Sequence, residues 1–379
     1  MVHVLSLLLA VATGCQSLTP QPTPPNGTNG LEDGNLDSTA VSDKGRTHGE
    51  PNDSFGNALI AVFDGADVAR VHGTIDPSGD LDVFDLGEME AGDRIIVDFD
   101  TMNGPLDVSI ALFDDQERLF VDNDDRDAEP RVLDSYVDEV VRHASDRYYL
   151  AVGASSFAGS FEASTGGYRA TVTVLRGGQV TPSVRQTLLL DFDGGEVDAA
   201  TIPVTTVEPF DAGAISPLYD GETEAIKHAI VETIRENFED VAVDIVTSDD
   251  PPPDDPYSTI LFGGRNPIAY GIAESVDHYN SDYADMVVVF TESFAPAAFR
   301  TPPSVEEMGV AIGNIASHEA GHIFGLNHVN DSTALMDAIS PADAFLLDQD
   351  FKLAPLSEQI LPIGYQDALL LLAEIVGLR

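Results

Sequence analysis

The chain has one cysteine, Cys15, in 379 residues, so no intrachain disulfide can form. Basic side chains are scarce: 18 Lys and Arg stand against 65 Asp and Glu, a formal net charge of −47. The imbalance is global, with 31 acids against 11 bases before Arg185 and 34 against 7 from Arg185 onward. A field of that sign repels nucleic-acid phosphates and anionic lipid surfaces, which disfavours both as partners. It also hydrates the surface and keeps an exported chain in solution. Long apolar runs are missing as well. Val4–Thr13 spans ten residues, too few to cross a bilayer as a helix, and Ala368–Val376 is short and interrupted by Glu374.

A run of that length does suit the core of a signal peptide. Ala12-Thr13-Gly14-Cys15 closes it with small residues and then the cysteine, so residues 1–15 resemble a bacterial lipoprotein signal. The resemblance implies that Cys15 becomes the lipidated first residue of the mature chain, held at the bacterial outer membrane or cell surface. A lipid anchor would then be its only membrane contact. Met1-Val2-His3 carries no Lys or Arg, and Ala12 stands where such signals usually have Leu. Ordinary signal cleavage with secretion is the alternative, and both predict export. Residues 16–47, rich in Thr, Pro, Asn, Gly, Ser and Asp, cannot pack a core and read as a disordered linker.

From 48 to 177 the pattern is strand-like. Arg94–Phe99, Leu106–Phe113, Tyr148–Val152 and Tyr168–Val174 are β-rich runs punctuated by Gly, Asp and Asn, which predicts an antiparallel β-sandwich. Glu50-Pro51-Asn52-Asp53, Gly73-Thr74-Ile75-Asp76, Asp80-Leu81-Asp82-Val83-Phe84, Ala91-Gly92-Asp93 and Gly167-Tyr168 occur in that order. In this the region is similar to the bacterial pre-peptidase C-terminal domain. That family implies non-catalytic roles: attachment, substrate or matrix binding, and help with secretion. Asp122-Asn123-Asp124-Asp125-Arg126-Asp127 offers oxygen ligands for Ca²⁺, though without the Gly and Glu spacing of an EF-hand loop. A solvated acidic turn is the simpler reading.

Residues 185–379 change period. Gln186–Phe192, Val241–Val246, Tyr257–Phe262, Gly271–Val276 and Asp285–Phe290 read as strands. In Glu222–Phe238 apolar residues recur every three or four positions, giving a helix with one buried face. A second helix is expected from about Ser304 to Phe324. The whole chain is thus predicted to be multidomain, the sandwich preceding an α+β domain with a mixed sheet and helices packed on it.

That second helix ends in His318-Glu319-Ala320-Gly321-His322-Ile323-Phe324-Gly325-Leu326-Asn327-His328. Two His four apart share one helix face, so both imidazoles can reach one tetrahedral cation. Glu319 beside the first can address a water at the open position. Gly325 can leave right-handed helical geometry, letting the chain turn and bring His328 back to the metal. The extended motif resembles that of the metzincins. Ala334-Leu335-Met336 lies eight residues beyond His328, as the Met-turn does in the matrixins, where the thioether forms a floor under the zinc without binding it.

The resemblance implies zinc held by His318, His322 and His328, Glu319 as general base, and Gly271–Val276 as the edge strand that pairs with substrate. Protein or peptide chains would be the substrates. Asp337 follows the methionine, with no Tyr two residues on, so a tyrosine ligand is not expected. Cys15 lies in the signal, so latency through a prosegment thiol is excluded. Among the other His, His278 reads as a surface-loop residue in a segment where matrixins bind structural metals, His228 as surface, and His143 as lacking a visible partner. The expected function is zinc endopeptidase. A cell-surface binding or adhesion protein with a non-catalytic peptidase-like domain is the alternative, and an amidase or other metal-dependent hydrolase on another fold is a third reading.

Overall fold

Alternation of apolar and polar side chains decides the first half of the molecule. In Arg94–Asp100 the side chains of Ile95, Val97 and Phe99 are buried while Arg94 and Asp98 face solvent. Six longer strands and several short ones form two five-stranded sheets, antiparallel except at two short edge pairs. One sheet runs Arg46–Thr47, Val68–Ile75, Gly166–Leu175, Arg94–Asp100, Tyr136–Val140. The other runs Leu59–Ile60, Asp82–Met89, Ser145–Ala154, Val108–Asp114, Leu119–Asn123. Val71, Val97 and Val172 of the first meet Phe84, Ile110 and Leu150 of the second in one shared core, as sandwich packing requires. The structure is a computed structural model and describes residues 46–47 and 51–379 apart from 102–103, 129–130, 156–163 and 339. Cys15, the signal segment and nearly all of the expected linker lie outside the described residues.

Val108–Asp114 breaks the alternation, being buried at every position. A strand covered on both faces has no solvent side to make polar. Its inward residues join the sandwich core, while Ala111 and Phe113 pack with Tyr149 against Leu356 and Leu361 from near the C-terminus. The two halves of the chain therefore share an apolar seam.

The second half is built on a five-stranded sheet in the order Val243–Thr247, Gln186–Asp191, Ser258–Phe262, Met286–Val289, Gly271–Ala273. The first three pairings are parallel; Gly271–Ala273 pairs antiparallel with Met286–Val289 and forms an edge. Ile260, Phe262, Val287 and Val289 face the helices Thr223–Asn237 and Val305–Ile323. Leu261, Ile272 and Val288 point the other way, under Ala199, Ile202 and Val207. The apolar stretch near the C-terminus is a short helix, Ala368–Ile375. No described helix is long and apolar enough to cross a membrane.

His143 corrects its sequence reading. It bridges the two halves, with Nδ1 2.7 Å from Glu374 and Nε2 3.2 Å from Asp114. Hydrogen bonding to Asp114 and then to Glu374 outweighs burial and pushes its pKa up to about 9. Arg142 beside it stacks over the Tyr279 ring, 4.0 Å from the centroid, and the Tyr279 hydroxyl donates to the Phe120 carbonyl at 2.7 Å. A His pKa raised on folding adds stability that is complete below its ordinary value of 6.5 and lost as pH rises through about 9. Wild-type protein is expected to lose roughly 1–2 kcal/mol between pH 6.5 and 10, discounted for partial exposure. His143→Gln should flatten that part of the profile, as read by denaturant unfolding across pH.

Candidate metal centre

The helix Val305–Ile323 starts at a capping box: the Glu307 backbone N–H donates to Ser304 Oγ at 3.2 Å, and the Ser304 N–H donates to Glu307 Oε2 at 2.7 Å. It then runs through the core, and every residue from Ala311 to Ile323 is buried. Helices this buried are set by tertiary packing more than by propensity. Its far end carries His318 and His322 one turn apart on one face.

Gly325 ends the helix in the left-handed region, at φ +85°. Its N–H donates to the His322 carbonyl at 2.8 Å, and the Leu326 N–H to the Gly321 carbonyl at 2.9 Å. These bonds reverse the chain and return His328 to the other two imidazoles. Backbone of the neighbouring loop also presses on this turn: a Cβ at residue 325 would stand 2.9 Å from the Asp277 carbonyl and 3.0 Å from the Tyr279 nitrogen. Gly325→Ala combines an unfavourable φ with a clash against main chain. It is expected to cost about 2–4 kcal/mol, read as a lowered unfolding midpoint.

The three rings converge through their Nε2 atoms: 3.1 Å separates His318 from His322, and 3.2 Å separates each of them from His328. His318 Nδ1 donates to the Leu335 carbonyl at 2.6 Å and His322 Nδ1 to the Leu326 carbonyl at 2.8 Å. Those acceptors fix the proton on Nδ1 and leave the Nε2 lone pair facing inward. Burial holds the rings neutral, pushing His318 down to about 4 and His328 to about 3, with His322 also lowered. Ligands at about 2.0–2.1 Å from one tetrahedral cation stand about 3.3 Å apart. The donor set and its spacing fit a zinc ion. Among the described residues no other group brings three such ligand atoms within 4.8 Å of one another.

Glu319 lies beside the first ligand, wholly buried, and neither carboxylate oxygen has a hydrogen-bond partner of good geometry. Burial pushes its carboxyl up to about 8, opposed by the backbone amide of Ala273 on the edge strand. An unpaired buried carboxylate is costly; a cation and a water next to it would remove that cost. Met336 packs beneath the helix between the two His, where a Cβ on Gly321 would stand 2.5 Å from its sulfur. Its carbonyl accepts from the Val329 N–H at 2.8 Å, so the segment that carries Met336 also holds the chain leaving His328.

Two sequence expectations are corrected here. His278 is no surface residue: its side chain is 7% exposed and Nε2 lies 3.3 Å from Asp122 Oδ1. Asp122 and Asn123 are buried, so the acidic cluster begins inside the seam between the halves and not as a solvated turn. Neither place gathers a three-ligand group among the described residues, and nothing supports calcium there. His228 is exposed, as read from its helix face. No local pattern pointed to Gln366, Asn237 or Asn314, which hydrogen-bond around the site helix and ligand turn, Asn237 half-buried and the other two buried. Their partners are remote in sequence, so no local pattern marks them.

No protein-family model matches the chain, and no curated protein matches it. Among solved structures, archaemetzincin from Methanopyrus kandleri is similar over 50% of this chain and 95% of its own, at 12% identity and a TM-score of 0.27. A zinc-dependent peptidase from Methanocorpusculum labreanum is similar over 43% of this chain and 93% of its own, at 12% identity and a TM-score of 0.25. PliG from Aeromonas hydrophila, a periplasmic inhibitor of g-type lysozyme, covers 31% of this chain and 96% of its own, at 15% identity and a TM-score of 0.25. Likeness at these levels is too slight to assign a function.

Proposed function

We propose that the chain is a zinc-dependent endopeptidase of the metzincin type, exported and tethered through a lipidated Cys15 or secreted, acting on protein or peptide substrates. The observation that carries this reading is three inward-facing imidazole nitrogens within 3.2 Å of one another beside a buried carboxylate whose oxygens make no hydrogen bond of good geometry. Zinc, when bound by His318, His322 and His328, supplies a Lewis acid for the scissile carbonyl and lowers the pKa of a water. Glu319 takes the proton from that water and returns it to the leaving amine. Leu335 and Leu326, through their carbonyls, keep two of the rings in the tautomer the metal requires.

Gly271–Ala273 lies at the sheet edge and its Ala273 amide faces Glu319. An extended peptide added along that edge would carry its backbone past the carboxylate. Casein hydrolysis by the purified full-length chain tests the reading. Turnover abolished by a chelator and restored by zinc is expected. Stoichiometric zinc without turnover would instead favour the binding or adhesion role.

A further inference from the structure

The three ligands are not oriented alike. His318 and His322 each donate from Nδ1 to a carbonyl; among the described residues Nδ1 of His328 has no such partner. What is held instead is the residue before it. Asn327 donates its backbone N–H to Gln366 Oε1 and accepts at its carbonyl from Gln366 Nε2, both at 2.7 Å. Gln366 is fully buried, so both ends of its amide are committed to the main chain of a single residue. The Asn327 side chain donates from Nδ2 to Asp122 Oδ1 at 2.7 Å. Asp122 belongs to Leu119–Asn123, the outermost strand of the second sandwich sheet. On the far side the His328 carbonyl accepts from the Ser357 N–H at 3.0 Å.

From this we infer that Gln366 and Asp122 are positioning residues for the ligand His328, so that the amino-terminal sandwich completes the metal centre. The inference rests on the proposed reading of the three His as zinc ligands. Rotation of the peptide units around Asn327 would swing the third ring, since among the described residues its Nδ1 makes no bond to resist it. Gln366 blocks rotation on both sides of Asn327, and Asp122 fixes where its side chain sits. Two other contacts brace the same joint: Tyr279 to the Phe120 carbonyl at 2.7 Å, and the Tyr365 N–H to the Glu117 carbonyl at 2.9 Å. A sandwich that served only as an accessory would need no polar side chain buried against the ligand turn, where burial costs free energy unless every bond is made.

Zinc affinity of the full-length chain, measured by competition with a chromophoric chelator, tests the inference alongside the unfolding midpoint of the metal-free protein. Gln366→Ala and Asp122→Ala are each expected to bind zinc about 10-fold or more weakly. In Asp122→Asn the amide oxygen can still accept from Asn327, so affinity should stay within about two-fold of wild type, given that an outer partner is felt through the bond it makes. The Co²⁺-substituted visible spectrum should shift in the two alanine variants and not in Asp122→Asn. If Gln366→Ala does not fold, the Asp122 pair decides alone. Folded Asp122→Ala with wild-type affinity and an unchanged spectrum overturns the inference and leaves the metal site standing. Wild-type protein that binds no zinc overturns both.

Discussion

Glu319→Gln is expected to leave zinc bound at wild-type affinity while lowering peptide hydrolysis at least about 10²–10⁴-fold, the usual contribution of a general base. The two side chains match in size and the position is wholly buried, so packing is conserved. An amide cannot take the proton of the attacking water, and no described carboxylate joins the three His within 4.8 Å to supply a substitute base. The variant carries a second signature in the metal-free protein. Burial raises the Glu319 carboxyl from 4.5 to about 8. A carboxyl raised on folding contributes stability that is complete below 4.5 and is lost as pH rises through about 8. Metal-free wild type should therefore weaken across that window more than metal-free Glu319→Gln, as followed by urea unfolding. Bound zinc favours the charged carboxylate, so the difference should shrink in the loaded proteins.

His322→Ala has the larger effect on the metal. Removing the central ligand leaves two imidazoles, and stoichiometric zinc should be lost along with detectable turnover. Wild type saturated with zinc at about 1,000 times its dissociation constant gains about 4 kcal/mol over the metal-free form. In His322→Ala that increment should vanish, so chelator no longer changes the unfolding midpoint. Metal-free His322→Ala is not expected to be much weaker than metal-free wild type, because one of three crowded lone pairs goes with the ring. The cavity left by the ring offsets part of that relief. A midpoint that still rises with zinc would mean that the ion binds elsewhere.

Much of the second half was legible because its signals are local. The spacing of His318 and His322 and the placing of Gly325 mark a helix end and a reversal within eleven residues, and the helix Val305–Ile323 begins at the capping residue Ser304. Strand positions followed from apolar runs, with boundaries shorter by up to three residues, as in Gly271–Ala273. Composition could not reveal which faces meet. Asp122 reads as one acid among many in a chain of 65, yet it lies against Asn327, 205 positions away. His143 likewise meets Glu374 across 231 positions. Such contacts form where two separately patterned halves dock, and neither half carries a periodic mark of the other. Val108–Asp114 makes the same point: the run Leu106–Phe113 marks a strand, while its burial at every position comes from a covering partner far along the chain.

X-ray absorption at the zinc edge of the purified, zinc-loaded full-length chain tests the central claim most directly. Three imidazole nitrogens and one light non-protein atom at about 2.0–2.1 Å are expected, with one imidazole lost from the shell in His328→Ala. A fourth protein ligand, a sulfur shell, or a spectrum indifferent to His328→Ala would contradict it.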